Sequence, residues 1–211
     1  NNANDAVGLI QTAEGAMTET HSMLQRMKTL TTQAANSTYT KTARDNIKAE
    51  IDALNSEITR IANTTEFNGN KPLAPKKAGD TLTFFIGASA VKDNAMTVAQ
   101  TIMTSEALKV KEIKVDTTTS AFKAMASVDA AIEKVSSYRA TLGAAQNRLE
   151  HTVNNLKVTS ENITSAESRI RDTDMADEIT AYTKNNILLQ AAQSMLSQSN
   201  AMPQGVLSML Q

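Results

Sequence analysis

The chain has 211 residues and balances 21 basic side chains against 22 acidic ones, which gives no electrostatic case for nucleic acid or an anionic membrane. It contains no cysteine, so disulfides, thiol catalysis and Cys-based metal sites are excluded. Aromatic residues make up only 3% and Trp is absent, while Ala, Thr, Asn, Ser and Gln are abundant, a composition that suits long helices packed through small residues.

The first predicted element is a helix from about Asp5 to Ala35. Its apolar positions Ile10, Met17 and Leu24 recur by sevens, flanked by Ala13, Met27 and Leu30. Asn36-Ser37-Thr38 is a polar break. Thr42 is the expected cap of a second helix, in which Ile47, Ile51, Leu54, Ile58 and Ile61 alternate by four and three until about Asn63. Two helices joined by a short polar turn pack antiparallel.

The middle of the chain changes character. Phe67-Asn68-Gly69-Asn70-Lys71-Pro72 reads as a turn or loop, and Lys76 to Asp80 is polar. Thr81-Leu82-Thr83-Phe84-Phe85-Ile86 is β-prone and stopped by Gly87. Met96-Thr97-Val98-Ala99 is its candidate antiparallel mate, with Val91 to Ala95 in the connection. Ser105 to Leu108 is a short helical turn, and polar Thr117 to Ser120 ends the insert.

From Val128 the spacing becomes strict. Val128, Val135, Leu142, Leu149, Leu156, Ile163 and Ile170 recur every seven residues; Ala131, Tyr138, Ala145, Thr152, Thr159, Ala166 and Thr173 follow three later. That repeat predicts one helix with a narrow coiled-coil seam, about 75 Å long for about 50 residues at ~1.5 Å each, rather than an ordinary short bundle helix. Ile10, Leu24, Ile51, Leu54, Ile58, Leu142, Leu149, Leu156 and Ile163 are the expected buried positions. From Ile179 a new amphipathic segment begins. Pro203 and Gly205 are expected to interrupt it, and Val206 to Leu210 closes the chain. This apolar tail has too few companions to cover it, so it is expected to be disordered alone or to fold on a partner.

The predicted fold is therefore mainly α: an elongated antiparallel helical bundle or coiled coil with a small β-hairpin insert. Residues 1–70 supply the first rod helices, 71–119 the short variable insert, 120–174 the long rod helix and 175–211 a terminal core-forming helix.

Catalytic chemistry has little support. His21 and His151 lie near Glu19 and Glu150, but two isolated histidines without Cys read as polar helix positions rather than a metal site. Arg171, Asp172, Asp174, Asp177 and Glu178 read as a solvated helix junction. There is no phosphate loop and no nucleophile elbow. No catalytic, metal or cofactor-binding residue is expected. Asn36-Ser37-Thr38, Asn63-Thr64-Thr65 and Asn162-Ile163-Thr164 fit the glycosylation pattern as chance matches. No apolar run reaches the ~20 residues of a membrane span, and no cleavable signal is visible.

Two stretches carry a resemblance. One is Gly8-Leu9-Ile10-Gln11-Thr12-Ala13-Glu14-Gly15-Ala16-Met17, continuing through Leu24-Gln25-Arg26 and Gln33-Ala34-Ala35-Asn36 to Thr65-Glu66-Phe67-Asn68-Gly69. The other is Leu142-Gly143-Ala144-Ala145-Gln146-Asn147-Arg148-Leu149-Glu150-His151, with Glu161-Asn162, Ala166-Glu167-Ser168-Arg169-Ile170-Arg171-Asp172 and the tail. Both are similar to bacterial flagellin, the subunit of the flagellar filament, over about residues 5 to 75 and 125 to 211.

The resemblance implies a structural, non-enzymatic protein of the extracellular flagellum, cytoplasmic before export, that self-assembles through terminal coiled coils. It implies a further apolar helix and an Arg-rich stretch before the position of Asn1, so the sequence looks N-terminally truncated. The tail would then lack the helix it pairs with. Implied partners are other flagellin subunits, an export chaperone and an assembly factor on the C-terminal segment, and a host Toll-like receptor; nucleic acid and membrane are not among them.

The chaperone and polymerisation residues are expected at Ile179, Ile187, Leu188, Ala191, Met195, Leu196, Val206, Leu207 and Leu210. The receptor-facing motif matches Gln25, Arg26, Leu30 and Gln33, with Arg26 and Leu30 expected to be exposed. Lys28 and Thr29 stand where the family usually has an Arg and an acidic residue, and Lys lacks the bidentate fork. Alternatives are a hook–filament junction protein or a secretion-needle tip protein. An enzyme in the insert is a third possibility, opposed by its lack of His and Cys.

Overall fold

The computed structural model describes residues 1–75, 77, 79–87, 91, 94–172 and 174–209. The chain is mainly α. Helix α1 spans Asn2–Ala34, α2 Lys41–Thr64, α3 Thr118–Arg171 and α4 Met175–Met209; strands β1 (Thr81–Phe85) and β2 (Ala95–Ala99) form the one described sheet. The chain divides into two compact units, Asn1–Lys157 and Val158–Gln211.

In the first unit, α1 buries a stripe at spacings of three and four, including Ile10, Ala13, Met17, Leu24, Met27 and Leu30. α2 returns antiparallel. Arg26 pairs with Glu50 at 2.8 Å, and Arg44 Nε donates to the Ala34 carbonyl at 2.9 Å near the turn. The cap of α2 is Thr40, two residues before the expected Thr42. Thr40 has extended backbone, and its hydroxyl accepts the Ala43 N–H at 3.3 Å, satisfying a donor that the helix cannot.

Helix α3 begins ten residues before Val128. Thr117 and Ser120 exchange backbone-to-side-chain hydrogen bonds at 3.0 and 3.1 Å, a reciprocal cap that turns the polar end of the insert into a helix start. Its buried stripe is Ala121, Ala124, Val128, Ala131, Val135, Tyr138, Leu142, Ala145 and Leu149, a heptad pattern of alternating three and four. It runs antiparallel to α1: Arg139 faces Glu14 at 3.6 Å and Lys28 faces Asp129 at 2.8 Å.

The seam ends sooner than its sequence repeat. Leu149 is fully buried, but Leu156, Ile163 and Ile170 are 37%, 63% and 88% exposed. The two α1–α3 ion pairs bring the start of α1 alongside about residues 151 to 155 at equal rise, so α1 runs out at about Leu156. Leu54 is also only half-buried, because the buried face of α2 passes through Ile51, Asn55 and Ile58. Thr173, expected beside the seam, lies outside the described residues.

The hairpin has the expected antiparallel pairing, with Leu82 opposite Val98 and Phe84 opposite Met96. These four side chains share the inward face by strand alternation. Asn2 Nδ2 donates to the Phe85 carbonyl, tying the sheet to α1. Phe67 and Asn70 exchange backbone hydrogen bonds at 2.9 and 3.0 Å around Asn68 and Gly69, both with positive φ. That is the geometry an Asn-Gly turn favours.

In the second unit, Asp174 caps α4 by accepting the Ala176 N–H at 2.9 Å, and Asp177 and Glu178 occupy the first turn, where negative charge is favoured. Pro203 and Gly205 do not end the helix, which continues to Met209. A proline inside a helix removes one hydrogen bond and crowds the preceding turn, yet the helix persists here. The tail is helical rather than interrupted, although its described side chains remain uncovered.

Candidate functional site

Two surfaces gather the sequence-predicted residues. The larger is α4. Ile179, Ile187, Leu188, Met195 and Leu196 are between 56% and 73% exposed, as is Leu189, which the sequence reading passed over. Ala191 is exposed too; Val206 and Leu207 belong to the same helix, and Leu210 lies outside the described residues. At about 100° per residue, Leu188, Leu189, Ala192, Met195 and Leu196 fall on one broad side, and Ile187 and Ala191 widen it to about 200°. A sector that wide exceeds what one neighbouring helix covers. From Asn185 to Gln211 no residue is charged. The described side chains of this charge-free stretch are exposed, and a face without charged groups costs little to desolvate. That charge-free run is a sequence signal that singles out the surface directly.

The smaller surface lies on α1. Gln25, Arg26 and Gln33 are exposed. Arg26 donates to Glu50 of α2 at 2.8 Å, and that hydrogen bond, with the carboxylate charge, holds the guanidinium above its ordinary pKa. Gln25 Nε2 lies 2.9 Å from His21 Nε2. Lys28 is drawn the other way, to Asp129 of α3. Leu30 does not join this surface: it is 2% exposed. Its spacing from Arg26 and Gln33 placed it beside them, but Leu24, Met27, Leu30, Thr31 and Ala34 form the core stripe, and Leu30 sits at its edge.

A polar cluster that the apolar repeat conceals lies between α2 and the connection to α3. Asn55 is 5% exposed and donates Nδ2–H to the Val110 carbonyl at 2.8 Å. Thr59 and Ser105 hydroxyls meet at 2.7 Å. Ser105, Glu106, Lys109 and Val110 close a helical turn with Val110 N–H on the Ser105 carbonyl and Lys109 N–H on the Glu106 carbonyl. Lys109 takes the left-handed position, φ 60, that such a terminus demands. On α3, burial pushes the Tyr138 hydroxyl above the usual phenol range, and a hydrogen bond with the Thr101 backbone opposes the shift.

Among the described residues no group of three His, Cys, Asp or Glu is placed to hold a metal ion, and no helix is long and apolar enough to cross a membrane. His21 and His151 lie on separate helices, α1 and α3. The charged run after Ile170 resolves into local pairs: Arg171 with Glu167 at 3.0 Å, and Ser168 donating to Asp172 at 2.6 Å.

The family model for the bacterial flagellin N-terminal helical region matches residues 1–78, and that for the bacterial flagellin C-terminal helical region matches residues 125–210. Flagellin of Bacillus subtilis (strain 168) is 46% identical over 241 residues, covering 99% of this chain and 79% of that protein. The flagellar filament 33 kDa core protein of Treponema phagedenis is 40% identical over 223 residues, covering 99% of this chain and 77% of its own length. The crystal structure of Bacillus cereus flagellin aligns with a TM-score of 0.63 at 30% identity, over 78% of this chain and 93% of that one. Helical halves matched in order, whole-chain identity and a shared fold agree: the chain belongs to the bacterial flagellin family.

Proposed function

We propose that α4 is the contact surface through which this subunit joins neighbouring copies, and that an export chaperone covers the same side chains before secretion. Flagellin is a structural protein whose subunits polymerise into the flagellar filament, so the chain is a filament component and not an enzyme. The observation that carries the proposal is the exposure of Ile187, Leu188, Met195 and Leu196 on a helix without charge beyond Lys184. Burying each such side chain stabilises by about 1.5–3 kcal/mol, a gain that a neighbouring subunit or the chaperone supplies by covering α4. An assembly factor takes the same segment at a later stage. The test is a deletion ending near Asp174, titrated calorimetrically against the chaperone. Loss of binding is expected; undiminished binding removes α4 from the chaperone site.

The exposed flank of α1 favours a second role. Gln25, Arg26 and Gln33 present two amides and a guanidinium beside the α1–α2 junction, a polar set suited to a host Toll-like receptor that detects free subunits. Leu30 supports that flank from beneath, as a packing residue.

A further inference from the structure

The methionines divide by setting. Met17, Met27, Met96 and Met103 are between 0% and 4% exposed in the first unit, and Met23 and Met125 are partly buried there. Met175 and Met195 stand 64% and 73% exposed on α4, and Met202 and Met209 belong to the same helix. With no cysteine in the chain, these thioethers are its only oxidisable sulfur. Susceptibility of a thioether follows its exposure, and methionine suits surfaces that must pack against more than one partner.

We infer that Met195, with Met175 as a second position, is a redox-sensitive site at which hydrogen peroxide converts the free subunit to a form that does not add to filaments. The Sδ lone pair attacks one peroxide oxygen, the O–O bond breaks, and a proton moves to the departing oxygen. The products are one sulfoxide and one water; sulfur is oxidised by two electrons and peroxide is reduced. The sulfoxide places a strong acceptor between Leu188, Ala191, Ala192 and Leu196, the broad apolar side of α4. Enclosed by other chains, that oxygen would have to find a donor or remain unsatisfied. Once the filament forms, the same packing shields the sulfur, so sensitivity belongs to the subunit before assembly. A thiol-dependent sulfoxide reductase reverses the change. The inference rests on α4 being the assembly surface.

The experiment treats the purified subunit with limiting hydrogen peroxide, maps sulfoxides by peptide mass spectrometry, and measures seeded elongation on filament fragments. Sulfoxide should form at Met195 and Met175 about tenfold faster than at Met17 and Met27, which need an opening of the core to react. Elongation of the oxidised subunit should fall about tenfold or more and return after reductase treatment. Each of parent and the double variant Met175→Leu, Met195→Leu is compared with and without peroxide; the ratio should approach one in the double variant. Equal oxidation of Met17 and Met195, or parent-rate elongation by Met195 sulfoxide, overturns the inference. Leu188→Ser, assayed without peroxide, separates the two levels. If it stops elongation while the sulfoxide does not, the redox inference fails and the assembly surface stands. If Leu188→Ser elongates as the parent does, the assembly surface itself fails.

Discussion

Asn55 donates its amide to the Val110 carbonyl at 2.8 Å from within the buried face of α2, tying that helix to the turn that leads toward α3. Asn55→Ala leaves the carbonyl of a fully buried residue without its donor. An abandoned buried acceptor costs about 1–3 kcal/mol. The midpoint of denaturant unfolding should therefore fall with an unchanged slope. No shift would mean that the turn is held without Asn55.

The end of the seam gives a second prediction. Leu149 is fully buried and Leu156 is 37% exposed, although both occupy the same repeat position. Leu149→Ala should destabilise the first unit by about 2–5 kcal/mol. Leu156→Ala should cost less than about 1 kcal/mol in the free chain, because less apolar surface leaves water there. Equal losses would show that the seam is covered through both positions.

Glycines of α1 differ in surroundings. A methyl group at Gly15 meets nothing within 4 Å, whereas at Gly8 it comes within 3.2 Å of the Phe67 ring. Gly15→Ala should stabilise by about 0.5–1 kcal/mol through reduced unfolded-chain freedom. Gly8→Ala should gain less, or lose, since the ring must yield. Thermal unfolding of the two variants ranks them; a larger gain at Gly8 contradicts the Phe67 contact.

Receptor recognition separates surface from support. Arg26→Ala should lower signalling in a receptor-reporter assay while leaving unfolding nearly unchanged, because its pair with Glu50 is about half exposed on both sides. Leu30→Ala should destabilise by about 2–5 kcal/mol, and any lost signal should recover under conditions that restore folding. Full signalling by Arg26→Ala removes that flank from the receptor site.

The helices and hairpin were legible because their periods are local: four-and-three spacing in α2, strict sevens in α3, and alternation in β1. What a repeat does not state is whether a partner is present. Leu149 and Leu156 look alike in sequence and differ only in what lies opposite. Leu30 was misplaced for a related reason, since two polar neighbours at helical spacing do not fix which side of a stripe's edge a leucine takes. Asn55 was missed because a buried amide interrupts the apolar pattern that marks a core; its meaning lies in a carbonyl 55 positions away. Pro203 shows the reverse case, a strong local breaker accommodated within α4.

Hydrogen exchange followed by mass spectrometry, on free subunit and on filament, tests the division between a self-sufficient bundle and an assembly helix most directly. In the free chain, strong protection is expected over Ile47 to Ala62 and Val128 to Leu149, where the helices are packed together. Ile187 to Leu196 should exchange rapidly in the free chain and become protected on polymerisation. Strong protection of Ile187 to Leu196 in the free monomer, or none gained in the filament, contradicts the assignment of α4 as the surface that waits for other chains.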